Sequence, residues 1–482
     1  MEINVRVLKF KINNIKNLRN GTIEFTSLKK INQNNFIFDS SDVIGIYGPN
    51  GSSKTAVVNA FRILKDIIVS RNSNNKRNSY LDRFNEIEVY DLINKEEKEA
   101  ILEVTYFVIT KSKEYFEVTY EVTIGKDDIN KKAFIKKEKL SYRKFNKELN
   151  KFNSKVTLID VDLYSNESKA FIKPDKFVNS LKSKNKDYMF TLQRLAAISS
   201  SNNYSFIFNE IFFDELKKNE DYNDIVEVLI KINTHARHSM HIYDNKEISK
   251  IAANDIFPLF IKDEYDNEVN SIVGSFGLFK ESIMPLDFKE PIKKYFKEID
   301  IVINKIIPSM HVEMVELGNV ILDNGSKGFK CDVLSVRDNV KIPLRLESDG
   351  IKKIISLISS LVEIFNNPYS ILVVDEFDSG IFEYLLGEIL KVIKEEGKGQ
   401  FLFTSHNLRA LEVIKDSIIF SSLDENDRFI TYPRISKTEN LRNHYLRDLF
   451  LGNNEKFSNE IDSYDIMDAF ERAGEIFKKA YL

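Results

Sequence analysis

Apolar and polar positions follow two different periods along the chain. Near the N-terminus, Val5 to Phe10 alternates like an edge strand, and a second strand follows around Gly21 to Phe25. The apolar run from Val43 to Tyr47 predicts a third strand, and the apolar residues of Ala56 to Val69 recur at helical spacing. These patterns predict that Met1 to Val69 is an antiparallel ribbon that leads into a parallel sheet and its first helix.

The pattern changes twice further along. From Ala100 to Gly125, β-branched and polar residues alternate around a hairpin turn at Lys111-Ser112-Lys113, which predicts an antiparallel sheet inserted after the first helix. From Tyr164 to Ile307, apolar residues recur instead at i, i+3, i+4 and i+7, so this segment is predicted to be a mostly helical insertion. Sheet character returns from His311 to Leu346, with a hairpin turn at Asp323-Asn324-Gly325. The chain is therefore predicted to have an α/β fold.

Composition narrows the class of protein. The 482 residues are 30% charged and 43% hydrophobic, which is ordinary for a soluble globular protein. No apolar run approaches the ~20 residues that a membrane span needs, and the first residues lack the features of a secretory signal. A single cysteine, Cys331, excludes an intramolecular disulfide, and a net charge of −3 argues against a bulk polyanion binder. These features predict a cytoplasmic protein with no membrane partner.

A glycine-bearing turn separates the predicted third strand from the first helix, and it has the spacing of a phosphate-binding loop. Its backbone N–H groups and the positive end of the helix point at one spot, where polyphosphate oxygens bind. Lys54 would reach the β- and γ-phosphates, and the Thr55 hydroxyl would hold Mg²⁺. Ser53 stands where a second glycine is expected, which we predict is tolerated only if its φ is negative. The predicted nucleotide-binding residues of the loop are Gly48, Pro49, Asn50, Gly51, Ser52, Ser53, Lys54 and Thr55.

A second buried strand ends in two carboxylates. The apolar run from Ser370 to Val374 precedes Asp375 and Glu376, and the carboxyl end of such a strand lies beside the phosphate loop in a doubly wound sheet. Asp375 is predicted to hold Mg²⁺, and Glu376 to orient and deprotonate the attacking water. The alternative is a buried strand followed by an acidic turn without a chemical role.

Two more segments complete the predicted site. The strand that begins at Gln400 ends at His406, which is predicted to sit near the γ-phosphate and sense it through a hydrogen bond, although an isolated histidine is more often structural. Ser348 and Gly350 lie at the N-terminus of a predicted helix and form a second anion-binding cap without a lysine. Because this cap is distant from Lys54 in sequence, the simplest geometry presents it to nucleotide held by a second copy, so that ATP becomes part of a two-fold interface.

Two segments admit two interpretations each. Lys126 to Lys155 contains eleven lysines and arginines against four acids, with aromatic residues interleaved. It is either a surface that follows a nucleic-acid backbone or a solvated hairpin edge kept soluble by lysine. His235, His238 and His241 recur every third residue, and they are either metal ligands completed by Asp244 or part of an exposed polar segment.

With these motifs in order, the chain resembles ABC-type ATPases of the RecF/SMC branch. Asn14-Ile15-Lys16-Asn17-Leu18 is similar to the N-terminal opening of that branch, in which a basic residue contacts nucleotide, and Lys16 matches that residue. Gly48 to Thr55 resembles Walker A, and Leu346 to Gly350 resembles a divergent signature motif. Asp375-Glu376 resembles Walker B with its catalytic glutamate.

The same resemblance makes Asp378-Ser379-Gly380 the D-loop, with Asp378 at the nucleotide, and His406 the switch histidine. It implies an ABC-type P-loop NTPase sheet, ATP and Mg²⁺ as cofactors, and an ATPase reaction carried by Glu376, His406 and Lys54. The sequence departs from the branch at Ser53, at Phe382, where relatives often carry histidine, and in the Q-loop. For the Q-loop, only Gln193 is remotely suitable.

The resemblance extends to the amino-acid sequences of two motifs and to the partners that they imply. Asp-Glu-Phe-Asp-Ser-Gly and Phe-Thr-Ser-His-Asn-Leu are similar to stand-alone ATPases of bacterial antiphage operons, such as the ATPase of PARIS and those paired with RloB-like proteins. Such ATPases are commonly encoded beside a Toprim-fold nuclease or a similar effector. The resemblance therefore implies a sensor in abortive infection, triggered by a nucleic acid or a phage protein, with a homodimer or higher even oligomer joined through the ATP sites.

The alternative functions are a DNA repair or maintenance ATPase that binds DNA through residues 126–155 and, less favoured, the nucleotide-binding subunit of a transporter. Amphipathic residues follow the last motif and could dock an effector or pack on the ATPase sheet. The predicted divisions are an N-terminal ATPase half with an antiparallel insertion at 1–163, a helical insertion at 164–307, a C-terminal ATPase half at 308–438, and a helical docking segment at 439–482.

Overall fold

The computed structural model describes most of the chain. The described residues are 3–69, 86–164, 172–174, 177, 179, 188–265, 268–278, 280–414, 417–424, 428–430, 441–442, 445 and 463–480. Within them the strands form four sheets, of eight, six, two and four strands. None of the helices in this part of the chain combines the length and apolarity that a membrane crossing requires.

The N-terminal elements build an antiparallel sheet around the first long helix. In chain order they are β1 (Val5–Ile15), β2 (Leu18–Glu24), α1 (Ser27–Asn32), β3 (Asp42–Tyr47), α2 (Lys54–Val69), α3 (Glu86–Leu92), β4 (Glu99–Ile109), β5 (Tyr115–Asp127), β6 (Lys132–Asn146), β7 (Lys151–Phe152), β8 (Val156–Asp162) and β9 (Ile172–Lys173). The eight-stranded sheet has the order β2-β1-β4-β5-β6-β8-β9, with β7 paired to β6. Strand β1 is therefore internal and not an edge strand, because its second neighbour comes from residues 99–109 and is invisible to local periodicity.

The middle of the chain alternates helices with short strands. Its elements are α4 (Tyr188–Asn202), α5 (Glu210–Lys217), α6 (Asn223–His238), β10 (Met240–Tyr243), α7 (Asn245–Ala252), β11 (Phe257–Tyr265), β12 (Glu268–Phe276), β13 (Ser282–Pro285) and α8 (Lys289–Ile306). The helices agree with the predicted helical insertion, but the four strands do not. The sequence pattern misses β10 because four residues are too few to show a strand period.

The C-terminal elements complete the six-stranded and the four-stranded sheets. They are β14 (Met310–Ile321), β15 (Lys327–Arg337), β16 (Val340–Pro343), α9 (Asp349–Asn366), β17 (Ile371–Val374), α10 (Glu383–Glu396), β18 (Gln400–Thr404), α11 (Arg409–Val413), β19 (Ile418–Ser421), β20 (Phe429–Ile430) and α12 (Ser463–Ala480). The turn between β14 and β15 contains Gly325 at a φ of 79°, as the predicted Asp-Asn-Gly hairpin requires.

The six-stranded sheet has the order β10-β17-β18-β3-β19-β20 and is parallel from β10 to β19. Its strands are buried on both faces, since alternate side chains enter different hydrophobic clusters. Ile46 and Val373 pack into the cluster that contains α2 and the antiparallel sheet, whereas Val374 and Phe403 pack into the cluster that contains α8, α9 and α10. The carboxyl ends of β3, β17 and β18 consequently lie side by side at one edge.

Candidate nucleotide site

The phosphate loop connects β3 to α2, as the sequence predicts. Gly48 leaves no room for a side chain, since a Cβ atom there would lie 2.2 Å from the backbone oxygen of Ser421. Gly51 has a φ of 83°. Ser53 has a φ of 79°, so the expectation of a negative φ is wrong: the serine adopts the left-handed conformation that the missing glycine would have supplied.

Lys54 folds back over the loop at the first residue of α2. Its Nζ donates hydrogen bonds to the backbone oxygens of Gly48 at 2.8 Å and Pro49 at 2.9 Å. Burial lowers the pKa of this lysine, while the negative charges of Asp375, Glu376 and Asp378 oppose that shift. The ammonium and the carboxylates therefore interact across the site, and the loop oxygens that hold Nζ are weaker partners than phosphate oxygens.

Asp375 follows β17 and is fully buried. Its Oδ1 accepts a hydrogen bond from Thr404 Oγ1 at 2.6 Å. Burial raises the pKa of Asp375, and the hydroxyls of Thr404 and Thr55 and the charge of Lys16 oppose that shift. Its Oδ2 is buried and has no hydrogen-bond partner among the described residues. A buried carboxylate oxygen with an open position beside a threonine hydroxyl suits a hard cation such as Mg²⁺, so the residues fit the predicted metal role.

Glu376 is held at its backbone by the neighbouring strand and helix. It has a φ of 47°. Its backbone N–H donates to Thr404 Oγ1 at 2.8 Å, and its backbone oxygen accepts from Lys353 Nζ at 2.6 Å. The carboxylate Oε1 lies 3.4 Å from the side-chain nitrogen of Asn245. The backbone of Glu376 is thus held on both sides at the end of β17, next to Asp375.

His406 follows β18 and is partly exposed. Its backbone N–H donates to Asp378 Oδ2 at 3.1 Å, which joins the predicted switch residue to the predicted D-loop. Partial burial lowers the pKa of His406, the charge of Lys54 lowers it further, and three nearby carboxylates oppose both effects. The lowered pKa favours the neutral imidazole, which can form a hydrogen bond with a phosphate oxygen.

Lys16 lies on the turn between β1 and β2, with its side chain exposed. Its charge reaches Asp375, where it lowers the carboxylate pKa. The next residue, Asn17, contacts the phosphate loop directly, since its side-chain nitrogen donates to the backbone oxygen of Gly51. The predicted N-terminal motif, Asn14 to Leu18, therefore lies at the phosphate loop.

The predicted signature residues begin α9. Ser348 is exposed and its side chain makes no capping hydrogen bond, so the first N–H groups of the helix have no side-chain partner there. Gly350 packs against the D-loop of the same chain: a Cβ atom at this position would lie 1.9 Å from the backbone oxygen of Gly380. Contact between Ser348 and the nucleotide of a second copy stays a prediction.

The sequence analysis did not identify three residues of the site. Thr404 links Asp375 to the backbone of Glu376, and Lys353 also donates to the backbone oxygen of Ser379 at 3.0 Å. Asn245 follows β10, the strand beside β17, and its side-chain amide lies at the carboxylate of Glu376. Gln193 lies exposed on α4, and Gln400 pairs with the backbone of Val7.

The structure supports neither interpretation of the segment from His235 to His241, as metal ligands or as an exposed polar segment. His235 is fully buried in α6 and His241 is buried in β10, so the segment is not an exposed polar one. Burial lowers the pKa of His235 to about 3, so it stays neutral. Asp244 is the N-cap of α7 and pairs with Arg62 at 2.8 Å. Among the described residues, no group of three or more histidine, cysteine and carboxylate side chains could hold a metal ion, so these histidines form no such site.

The basic segment has its charge largely balanced within the chain. Phe145 and Phe152 pack against Phe36, with ring centroids 4.9 Å and 6.1 Å away, so these aromatic rings face the protein. The bases that lie within 4.0 Å of a carboxylate are Lys126, Lys136, Lys137, Arg143, Lys144 and Lys147. The arrangement favours a solvated surface over a nucleic-acid surface, but the segment is not a sheet edge, because β6 pairs with β5 on one side and β8 on the other.

Comparisons with known proteins agree with this geometry. A family model described as "AAA domain, putative AbiEii toxin, Type IV TA system" matches residues 289–412, which include α9, Asp375, Glu376 and His406. No curated protein matches the sequence.

Among solved structures, the SMC head domain from Thermotoga maritima is similar at 13% identity and a TM-score of 0.33, covering 89% of this chain and 100% of that one. The Smc head domain with a coiled coil and joint from Pyrococcus yayanosii is similar at 10% identity and a TM-score of 0.38, covering 89% and 97%. The recombination mediator RecF with ATP is similar at 13% identity and a TM-score of 0.31, covering 83% and 94%.

The parallel sheet, the phosphate loop and the carboxylates at its edge define the class. They form an α/β fold with a phosphate loop at the edge of its parallel sheet, and the family model that matches residues 289–412 describes an AAA domain. The antiparallel sheet beside α2 and the helices on the opposite face complete the α/β fold that the sequence predicts.

Proposed function

We propose that this protein binds and hydrolyses ATP, and that it acts as the sensor and regulator of a bacterial antiphage system that controls a separate toxic effector. The observation that carries the ATPase proposal is the meeting of three separate segments at one sheet edge. Lys54 interacts with Asp375 and Glu376, and Asp375 keeps a buried oxygen without a protein partner.

Each residue has a distinct task in this proposal. The loop N–H groups and Lys54 bind the phosphates, while Thr55 and Asp375 hold Mg²⁺, which neutralises phosphate charge when bound. Glu376 accepts the proton of the attacking water, and its fixed backbone sets the direction of that approach. His406 and Asp378, joined by a hydrogen bond, contact the γ-phosphate side.

The proposed assembly is a homodimer, or a higher even oligomer, with ATP between copies. Exposed apolar side chains flank the signature and D-loop segments: Leu346 is 69%, Phe382 73% and Tyr384 60% exposed. Apolar side chains around an uncapped helix N-terminus suit a surface that closes on a second copy and its nucleotide. Closure would then depend on the γ-phosphate, and hydrolysis would release it.

The antiphage role rests on the family description, which names a putative AbiEii toxin of a Type IV TA system, and on helix α12. Helix α12 exposes Tyr464, Met467 and Phe470, with Tyr464 and Phe470 each 75% exposed. An amphipathic helix with an uncovered apolar face suits docking of an effector, such as a Toprim or RloB-like nuclease.

Two measurements test the proposal in order. Purified full-length protein should release phosphate from ATP in the presence of Mg²⁺, and Lys54→Ala should abolish nucleotide binding. Expression with its native gene neighbours should lower phage plaquing and co-purify an effector, and the Lys54→Ala variant should lose the protection. An active ATPase that purifies alone and leaves plaquing unchanged would reject the antiphage role while keeping the enzyme.

The second candidate, a DNA repair or maintenance ATPase, follows from the RecF and SMC resemblance. In its proposed DNA surface, residues 126–155, six of the eleven cations lie within 4.0 Å of a carboxylate. We therefore place it second. Hydrolysis stimulated by DNA, with binding that weakens steeply as salt rises, would reverse this order.

A further inference from the structure

The conformation of Ser53 needs support that a glycine would not need. Its φ of 79° lies in the left-handed region, where a Cβ atom crowds the following carbonyl oxygen. The residue is buried at the centre of the phosphate loop, immediately before Lys54. A non-glycine residue keeps such a conformation only where its surroundings hold it.

Asn17 provides that support from a different part of the chain. The Ser53 hydroxyl donates to Asn17 Oδ1 at 2.9 Å, and the side-chain nitrogen of Asn17 donates to the backbone oxygen of Gly51. One amide thus ties together two left-handed residues of the loop, which lie two positions apart. The hydrogen bond to Ser53 requires a hydroxyl, so it exists only because the glycine is absent.

Asn17 is itself firmly placed by the turn between β1 and β2. The backbone N–H of Lys16 donates to Leu92 O at 2.6 Å, and the Asn94 side chain donates to Lys16 O at 2.7 Å. Strands β1 and β2 pair up to Ile15 and Leu18 on either side of the turn. The amide therefore acts on the loop from a fixed support.

We propose that Asn17 is a positioning residue whose amide replaces the missing glycine, holding Ser53 left-handed so that the phosphate loop keeps the shape that binds a nucleoside triphosphate. The inference rests on the proposed ATP binding and assigns the opening motif a second task beside the charge of Lys16. Without the amide, the loop relaxes when empty and must be reordered on binding, which weakens affinity.

A double-mutant cycle tests the dependence of Asn17 on Ser53. Full-length wild type, Asn17→Ala, Ser53→Gly and the double variant are titrated with ATP and Mg²⁺ by calorimetry. Asn17→Ala should weaken ATP binding about tenfold when Ser53 is present, and less than about threefold in the Ser53→Gly background, because glycine adopts the left-handed conformation unaided. The matched control is Asn20→Ala, an exposed asparagine on the same hairpin, which should leave affinity unchanged.

Ser53→Ala gives an independent measurement if Asn17→Ala fails to fold. It keeps the crowded Cβ atom but lacks the hydroxyl, so it should weaken ATP binding by a similar factor. Equal losses from Asn17→Ala in both backgrounds, or a Ser53→Ala variant with wild-type affinity, would overturn the inference. If the wild type binds no ATP, the proposed function fails; if the wild type binds ATP and the losses are equal, only this inference fails.

Discussion

At the scale of single residues, Glu376 combines an unusual backbone conformation with an uncommon degree of support. Its φ of 47° costs a non-glycine residue about 1–2 kcal/mol, and Thr404 and Lys353 hold the peptide units on both sides of it. We predict that Glu376→Gln binds ATP normally but hydrolyses it at least ~100-fold more slowly, because the amide cannot accept the proton of water. Single-turnover phosphate release and ATP titration measure the two effects. Glu383→Gln, an exposed glutamate on α10, is the control, and turnover equal to wild type would remove Glu376 from the role of base.

Thr404 is a second residue whose loss should be specific. Its hydroxyl donates to Asp375 and accepts from the backbone of Glu376, so Thr404→Val leaves a buried N–H unpaired, which costs about 1–3 kcal/mol. We predict that kcat falls while ATP affinity changes little, since the hydroxyl of Thr404 bonds to Asp375 and Glu376 and not to the phosphate loop or Lys54. Urea unfolding and steady-state ATPase assays measure both quantities. Thr404→Ser keeps the hydroxyl and should restore activity, and a Val variant with unchanged kcat would contradict the prediction.

The sequence could reveal some site residues and not others, and the reason is how far their partners lie along the chain. Asp375, Glu376 and His406 follow apolar strands directly, so local pattern is enough to place them at a sheet edge. Asn245 follows a strand of four residues inside a segment with helical periodicity, and no amide motif marks it. The conformation of Ser53 was predicted wrongly because its support, Asn17, is 36 positions away.

At the scale of elements, the first turn of α9 is held between α7 and the D-loop. Lys352 Nζ donates to Ala252 O at the end of α7 at 2.7 Å, and Lys353 Nζ donates to the D-loop region. Because α7 begins at Asn245, beside Glu376, the helix that follows Ser348 is connected through α7 to the Glu376 carboxylate of its own chain. A shift of α9 when a second copy binds would thus be transmitted to Glu376 through both α7 and the D-loop.

Gly350 tests that connection. Alanine there would place a Cβ atom 1.9 Å from Gly380 O, which forces α9 and the D-loop apart. We predict that Gly350→Ala lowers the free energy of unfolding by about 1–3 kcal/mol and reduces kcat at least ~10-fold, while ATP still binds at Lys54. Denaturant unfolding, ATPase assays and calorimetry measure these effects. Asp349→Ala, an exposed neighbour, is the control, and an equal loss in the control would show a general effect of the helix start.

The prediction of helices and strands was limited in the same way, because it depends on patterns that are local in the sequence. The long antiparallel strands, the two hairpin turns and the helices of 14 to 18 residues have enough repeats of their period to be recognised, as in α9 and α10. The hairpin of β11 and β12 and the strand β10 lie between helices, where the surrounding periodicity dominates. The position of β1 inside its sheet depends on pairing with β4, which only the folded chain supplies.

At the scale of the whole molecule, the apolar rim around the signature segment should decide assembly. Phe382 is 73% exposed beside the D-loop, and burying a phenylalanine on association contributes about 1.5–3 kcal/mol. We predict that Glu376→Gln doubles in mass on addition of ATP and Mg²⁺, because γ-phosphate persists in the site and keeps the two copies closed, and that adding Phe382→Glu prevents the doubling. Light scattering coupled to size exclusion measures the mass. The control is Ile301→Glu, which changes an apolar residue on α8 that is 70% exposed and should leave the ATP-dependent doubling intact. If both variants lose the doubling, the change in charge controls assembly rather than the apolar rim beside Ser348.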